Sequence, residues 1–166
     1  MTGKDEHTIS LIVNNKPGAL IRVAQVFTRR SFNINSINVS PTLDGKYSRM
    51  TITSYGARET VRQIVLQLEK LVDVIQAIEH TQEETTNREL ALVKIECENS
   101  QVLQKERIPN VELLIVEELE NHVILQLTGE TDSIDAAVQY LKVNHKIVEL
   151  LRSGTVAITH ANISYT

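Results

Sequence analysis

The chain has 166 residues, of which 42% are hydrophobic and 4% aromatic, with no tryptophan and a formal net charge of −4. This length fits one domain or two small ones, and the core must come from isoleucine, valine and leucine. The acidic balance argues against nucleic-acid binding, and the single cysteine, Cys97, excludes an internal disulfide or a multi-cysteine metal cluster. Because there is no long apolar run or charged-then-apolar leader, we expect a soluble, cytoplasmic protein without membrane contact.

The first half of the chain alternates strand and helix patterns. Apolar residues recur at every second position in the strand segments and at helical spacing in the others. The predicted strands are 8–13, 34–40, 48–55 and 72–79, and the predicted helices are 20–27 and 61–71. Asp44-Gly45 marks a hairpin turn. The resulting order, βαββαβ, is the split βαβ unit of ferredoxin-like folds.

The second half repeats this plan after a polar segment, 82–87, which we interpret as a linker. Its predicted strands are 88–96, 111–117, 123–128 and 155–159, and Thr131 or Asp132 is expected to cap a helix. The segment 98–107 has room for only a short helix, and 146–151 fits no pattern well. We therefore predict an α+β fold of two consecutive ferredoxin-like units, 1–81 and 88–166. Each is small enough to need mutual packing or oligomerisation.

The loop of residues 15–20, Asn-Lys-Pro-Gly-Ala-Leu, is the most informative segment. A Pro-Gly turn that opens a helix exposes backbone N–H groups, which suit a small carboxylate. Asn15, and Asn33 in a second asparagine-rich stretch, add donors and acceptors for an amino acid. The same residues are also routine in plain connections, because proline and glycine punctuate helix starts and asparagine caps turns. The loop alone leaves both interpretations open.

Catalytic motifs are missing from the sequence. There is no G-x-G-x-x-G, Walker or G-x-S-x-G motif. The five histidines (His7, His80, His122, His145, His160) lack metal-ligand spacing, and we expect most of them to face solvent. We assign no catalytic residue and no metal site. A compact α+β chain with a ligand-like turn is then expected to be a sensor or a subunit.

The run from His7 to Leu20 resembles the start of acetolactate synthase (acetohydroxyacid synthase) small subunits. The match continues in order at 29–34, 48–51, 68–74, 88–95 and 152–154. Many ACT domains share such a turn, but the ordered set is specific to these small subunits. On this resemblance we interpret the loop as a ligand site.

The resemblance implies a non-catalytic regulatory subunit with an N-terminal ACT domain. Such subunits bind and activate a separate catalytic subunit, which uses thiamine diphosphate and Mg to form acetolactate from pyruvate. They confer feedback inhibition by valine, or by leucine or isoleucine. The effector lies between paired ACT domains, so a homodimer is implied. The effector-site residues carried over by position are Asn15, Lys16, Pro17, Gly18, Ala19, Leu20, Asn33 and Ile34.

Two positions in this region carry specific expectations. Gly18 is expected to let the ligand approach the backbone, because a Cβ there could block it. Ser31 stands where the family usually has glycine, so we expect the helix end or the strand entry to differ there, which could shift Asn33 and alter effector selectivity.

Two other functions remain as alternatives. One is a free-standing ACT-type amino-acid sensor that serves another partner. The other is an RNA-binding βαββαβ module, which would need aromatic side chains on the sheet, and the central strands offer mainly Tyr55.

Overall fold

The computed structural model describes residues 5–81, 84–97, 103 and 106–161. These residues form two compact units. The first contains the described residues up to Thr86 together with those from Val156 onwards, and the second is Asn87–Thr155. The last strand, which the sequence analysis places in the second domain, therefore groups with the first unit.

The first unit is a four-stranded antiparallel sheet with two helices, in the order βαββαβ, as predicted. The elements are β1 (Asp5–Asn14), α1 (Ala19–Arg29), β2 (Ser36–Pro41), β3 (Tyr47–Gly56), α2 (Arg58–Leu68) and β4 (Val74–His80). The strand order is β2-β3-β1-β4, so β2 and β4 form the edges of this sheet.

The core of the first unit follows the two sequence periods. Ile9, Leu11 and Val13 alternate along β1 and are fully buried. Val23 and Phe27 of α1 lie one turn apart and pack in the same core. Burial of each large aliphatic or aromatic side chain contributes roughly 1.5–3 kcal/mol, which fixes the helices on one face of the sheet.

The second unit has the same strand order as the first. Its elements are β5 (Thr85–Glu96), β6 (Val111–Leu119), β7 (His122–Gly129), α3 (Thr131–Asn144) and β8 (Lys146–Arg152). The sheet runs β6-β7-β5-β8, and the last strand, β9 (Val156–Thr159), belongs to the first unit. Three buried residues of α3 (Ile134, Ala137 and Leu141) pack in its core. The arrangement is ferredoxin-like over the described residues.

Two details of the second unit differ from the sequence prediction. Helix α3 has Glu130 at its N-cap, without a side-chain cap. The Thr131 hydroxyl instead bonds the Thr155 hydroxyl at 2.7 Å, so the predicted cap is wrong. Segment 146–151, which fits no sequence pattern well, is strand β8. The predicted short helix at 98–107 lies largely outside the described residues.

Cys97 is half-buried and packs against the core of the second unit. None of the helices in the described part of the chain is both long enough and apolar enough to cross a membrane.

Candidate functional site

The loop between β1 and α1 presents backbone donors at the start of a helix. Gly18 is the N-cap of α1, with φ 85° in the left-handed region and no side-chain cap. The Ala19 amide donates to the Lys16 carbonyl at 3.3 Å. Within the described chain, the amides of Gly18 and Leu20 have no acceptor. The positive end of the helix dipole therefore carries available N–H groups, as an anion site requires.

Asn15 joins this loop to the turn between β2 and β3. Its amide Nδ2 donates to the Gly45 carbonyl at 3.1 Å, and its main-chain N–H donates to the Lys46 carbonyl at 3.0 Å. These two bonds hold the Asn15 side chain beside the turn. Its Oδ1 atom has no partner among the described residues.

Asp73 holds both ends of the loop, and the sequence analysis missed it. Its carboxylate Oδ2 accepts from Arg22 Nε at 2.6 Å and lies 2.5 Å from Arg22 Nη2. Its main-chain carbonyl accepts from the Asn14 amide at 2.7 Å. Asn14 ends β1 and Arg22 lies in the first turns of α1. Asp73, in the segment between α2 and β4, therefore fixes the chain both before and after the loop.

The guanidinium of Arg22 occupies the space that Gly18 leaves open. A Cβ built on Gly18 would lie 3.0 Å from Arg22 Nη1, and Arg22 supplies its three nearest atoms. The positive φ already favours glycine at this position. The atoms that a side chain on Gly18 would meet first within this protomer thus belong to Arg22.

The segment that carries Asn33 is fixed by β3. The Ser54 hydroxyl donates to the Asn33 carbonyl, and the Asn35 amide donates to the Thr53 carbonyl at 2.8 Å. A Cβ on Gly56 would overlap the Phe32 ring, so this ring packs directly on the glycine. Sequence reasoning identified neither contact.

Helix α1 ends as a glycine-terminated helix would, despite Ser31. Ser31 has φ 52°, in the left-handed region. The Phe32 amide donates to the Phe27 carbonyl at 3.0 Å, and the Ser31 amide donates to the Thr28 carbonyl at 3.0 Å. These are the two bonds of a Schellman motif. The expectation that the helix end would differ at Ser31 is wrong; serine adopts the backbone conformation that glycine favours.

The two parts of the predicted site lie at opposite ends of the sheet. Ser54, which bonds the Asn33 carbonyl, pairs with His7 at the start of β1. Asn15 follows the end of that strand, about 25 Å further along at the usual rise per residue. One protomer therefore does not bring Asn15 and Asn33 together around a single amino acid.

The expectation that most histidines face solvent is wrong, because only His160 of the five is exposed. His7 is 7% exposed; its Nδ1 lies 2.7 Å from Glu79 Oε1 and its Nε2 lies 3.1 Å from the Gly56 carbonyl oxygen. His145 Nε2 lies 2.7 Å from Glu106 Oε1. Over the described ranges, no group of three or more histidine, cysteine or carboxylate side chains is placed to hold a metal ion.

The fold and the loop define a regulatory chain of the ACT class. Residues 9–76 match the family described as the AHAS small subunit-like ACT domain, and residues 88–161 match the family described as the small subunit of acetolactate synthase. The chain belongs to the acetolactate synthase small-subunit family, which confirms the resemblance. It is the regulatory, non-catalytic subunit.

Individual relatives match over nearly the whole chain. The acetolactate synthase small subunit of Haemophilus influenzae is 35% identical over 152 residues, covering 91% of this chain and 93% of that protein. The isozyme 3 small subunit of Salmonella typhimurium is 38% identical over 157 residues, covering 93% and 95%. The crystal structure of the Thermotoga maritima small subunit matches with a TM-score of 0.78 at 31% identity, covering 96% and 99%.

Proposed function

We propose that this chain binds and activates a thiamine-diphosphate-dependent acetolactate synthase catalytic subunit and makes it sensitive to valine, or to leucine or isoleucine. The observation that carries this proposal is the family match over both units. An ACT domain at 1–81 would bind the effector and dimerise. The C-terminal ferredoxin-like domain at 88–166 would complete the subunit.

The effector site is proposed to form between two copies of the chain. Strand β2 is an edge strand and runs from the Asn33 end of the sheet to the Asn15 end, with Ser36 opposite Thr53 and Pro41 opposite Ser48. If β2 pairs with its own copy in antiparallel fashion about a two-fold axis, the second copy's Asn33 segment comes beside this protomer's loop. The distance between Asn15 and Asn33 within one chain therefore supports a site that two chains form together.

The chemistry of the loop suits an α-amino acid. The carboxylate would accept from the Gly18 and Leu20 amides, where the helix dipole contributes about 0.3–1 kcal/mol. Oδ1 of Asn15 could accept from the ammonium, and Asn33 of the second copy offers a further amide. The Leu20 and Ile34 side chains are partly exposed and would contact a branched apolar side chain. Inhibition follows if the effector binds one arrangement of the dimer more tightly than another, by about 1–3 kcal/mol.

The direct test is acetolactate formation by the same organism's catalytic subunit, with and without this chain, across a valine titration. Stimulation that valine reverses would support every part of the proposal. Leucine and isoleucine are titrated in parallel, because the site chemistry admits any branched side chain. If the chain leaves a demonstrably active catalytic subunit unchanged, the proposal fails and a free-standing sensor replaces it.

Site variants separate sensing from activation. Gly18→Asp places a carboxylate where the effector carboxylate would bind, so valine inhibition should be lost while stimulation remains. Gly45→Asp is the matched control, since Gly45 also has a positive φ, 69°, but a Cβ built there would meet nothing within 4 Å. Asn33→Ala should act in the same direction as Gly18→Asp. Inhibition that survives both site changes would place the effector elsewhere.

The dimer can be tested at the edge strand. Val39 lies on β2 and is 46% exposed, so Val39→Lys should oppose pairing of two β2 strands by charge repulsion. Leu43→Lys is the control, because Leu43 is fully exposed in the following turn. We expect only Val39→Lys to lower the dimer fraction in sedimentation velocity and to reduce valine inhibition. A wild-type chain that sediments as a monomer with valine present would contradict this site.

A further inference from the structure

We propose that Arg22 is a binding residue of the effector site, with Nη1 donating to the amino acid's carboxylate, and that Asp73 is the positioning residue that aims it. This inference rests on the proposed function and deepens it. Arg22 would add a side-chain donor for the carboxylate to the backbone amides of the loop. Neither residue is among the positions that the sequence pattern selects.

The first step is that the Arg22 guanidinium has one side bound to Asp73 and one nitrogen, Nη1, directed towards the loop. Nε and Nη2 of Arg22 face Oδ2 of Asp73, at 2.6 and 2.5 Å. In the described part of the chain Nη1 has no acceptor, and it is the Arg22 atom nearest to the position that a Cβ on Gly18 would take. Because the guanidinium is planar, fixing two of its nitrogens also fixes the direction of the third. One cationic N–H group is thereby held over the loop.

The second step is the presence of further unpaired donors in the same short segment. The Gly18 and Leu20 amides also lack an acceptor within the described residues. Nη1 lies beside Gly18, so this loop offers N–H groups from a side chain as well as from the backbone. A carboxylate has two oxygens and can accept from both sets, and the bond to the cation is the stronger type.

The third step is the rigidity of the positioning residue. The Asp73 side chain is only 15% exposed, and its main-chain carbonyl accepts from the Asn14 amide at 2.7 Å. The same residue thus fixes the end of β1 and the guanidinium. Fixing the donor before the ligand arrives removes part of the ordering cost of binding.

Folding stability distinguishes a binding role of the Arg22–Asp73 ion pair from a purely structural one. Arg22 is 46% exposed, and although Asp73 is only 15% exposed, Arg22→Gln keeps an amide that can donate to its carboxylate. Removing the Arg22 charge should therefore weaken effector binding strongly and change the thermal midpoint of the free chain little. A structural role would lower the thermal midpoint without a selective loss of affinity.

Arg22 should affect which class of ligand binds, but not which branched side chain is preferred. The carboxylate is common to all α-amino acids, so Arg22 would require a free carboxylate without selecting among valine, leucine and isoleucine. We expect Arg22→Gln to weaken all three to a similar degree. The side-chain preference should stay as in the wild-type chain.

The experiment is calorimetric titration of the full chain with L-valine, L-leucine and L-isoleucine, with thermal midpoints measured in parallel. The variants are Arg22→Gln, Asp73→Asn and the control Arg29→Gln; Arg29 lies on the same helix and has no ion pair among the described residues. We expect Arg22→Gln to raise Kd by at least about tenfold and Asp73→Asn by about threefold or more, on the scale of a charge-assisted hydrogen bond. Arg29→Gln should stay within about twofold.

Each outcome decides the inference. An Arg22→Gln chain that is folded and binds within about twofold of wild type overturns it, and so does an equal loss in Arg29→Gln. If Arg22→Gln does not fold, Asp73→Asn decides, since it keeps the guanidinium and removes the charge that aims it; unchanged affinity overturns the assignment. A wild-type chain that binds none of the three amino acids overturns the proposed effector function, and this assignment with it.

Discussion

The buried hydroxyl of Ser54 donates a hydrogen bond to the main-chain carbonyl of Asn33 and ties the second part of the predicted effector site to β3. Next to it, the Phe32 ring packs on Gly56. Asn33 itself is exposed, and its side chain has no partner among the described residues. The position of this candidate ligand group thus depends on contacts made by its neighbours.

Ser54→Ala tests this dependence. The change leaves the Asn33 carbonyl without its donor, which should lower the free energy of unfolding by about 1–2 kcal/mol. Urea unfolding followed by circular dichroism measures the loss. Because one of the contacts that hold the Asn33 segment to β3 is lost, we expect the valine concentration for half-inhibition to rise at the same time.

Ser48→Ala is the matched control for that change. Ser48 lies on the same strand and is also buried, at 6% exposure, but its hydroxyl makes no hydrogen bond within the described residues. Its replacement should cost little and leave inhibition unchanged. Equal destabilisation by the two variants would show that the bond to Asn33 has no special contribution.

Ser31→Gly should stabilise the chain. Ser31 has φ 52°, and a left-handed backbone costs a residue with a Cβ about 1 kcal/mol relative to glycine. We expect the free energy of unfolding to rise by about that amount in urea titration. Arg30→Gly, at the preceding residue with φ −101°, should lower it, because glycine there only adds freedom to the unfolded chain. Destabilisation by both changes would contradict this account of the helix end.

The sequence predicts the elements of the first unit well because their signals are local. The alternating Ile9, Leu11 and Val13 specify which face of β1 is buried, and no distant residue is needed to interpret them. Strand β8 lacks such a signal. It is mostly exposed, and a register irregularity opposite Lys94 and Ile95 interrupts its alternation. Its pairing with β5, rather than its own pattern, makes it a strand.

The contacts around the candidate site were hidden because they join distant parts of the chain. Arg22 and Asp73 are 51 residues apart, and neither has a neighbour in sequence that indicates the pair. Thr131 was expected to cap α3 from its local context. Its hydroxyl instead bonds that of Thr155, 24 residues further along. In both cases the hydrogen-bond partner of the side chain is set by tertiary contacts, which the neighbouring sequence does not indicate.

Removing one partner of the Arg152–Glu89 ion pair should strongly destabilise the second unit. Arg152 Nε and Nη2 bond the two Glu89 carboxylate oxygens at 2.7 and 2.8 Å, and the Glu89 side chain is 3% exposed. Arg152→Ala leaves a buried carboxylate without its cation, so we expect a loss of about 3 kcal/mol in urea unfolding. The double variant Glu89→Leu with Arg152→Met should recover most of it.

An exposed ion pair gives the contrast. Arg88 Nη1 lies 3.6 Å from Glu130 Oε1, and both side chains are more than half exposed. Arg88→Ala should therefore change the free energy of unfolding by less than about 0.5 kcal/mol. If Arg152→Ala were as mild as this control, the buried pair would contribute no more than a surface contact.

His80 should make the first unit lose stability as the pH falls. Its Nε2 is buried without a partner in the described chain. Burial lowers the pKa of His80 below its ordinary value of 6.5, Glu84 opposes this and Arg49 reinforces it. Between the lower, folded-state pKa and pH 6.5, the unfolded chain therefore binds a proton on His80 that the folded chain does not. Stability is full above this value and declines as the pH falls towards the lower, folded-state pKa.

His80→Gln removes this proton linkage, because glutamine stays neutral throughout. We expect the wild-type free energy of unfolding to fall between about pH 7.5 and about pH 5.5, and the fall to be smaller in the variant. Urea titrations at both pH values measure the difference, and the same change at the exposed His160 controls for loss of a surface imidazole. Urea unfolding reports on both units together. The quantity compared between wild type and variant is therefore the change in the free energy of unfolding with pH, not its absolute value. An unchanged slope in His80→Gln would show that other groups cause the acid instability.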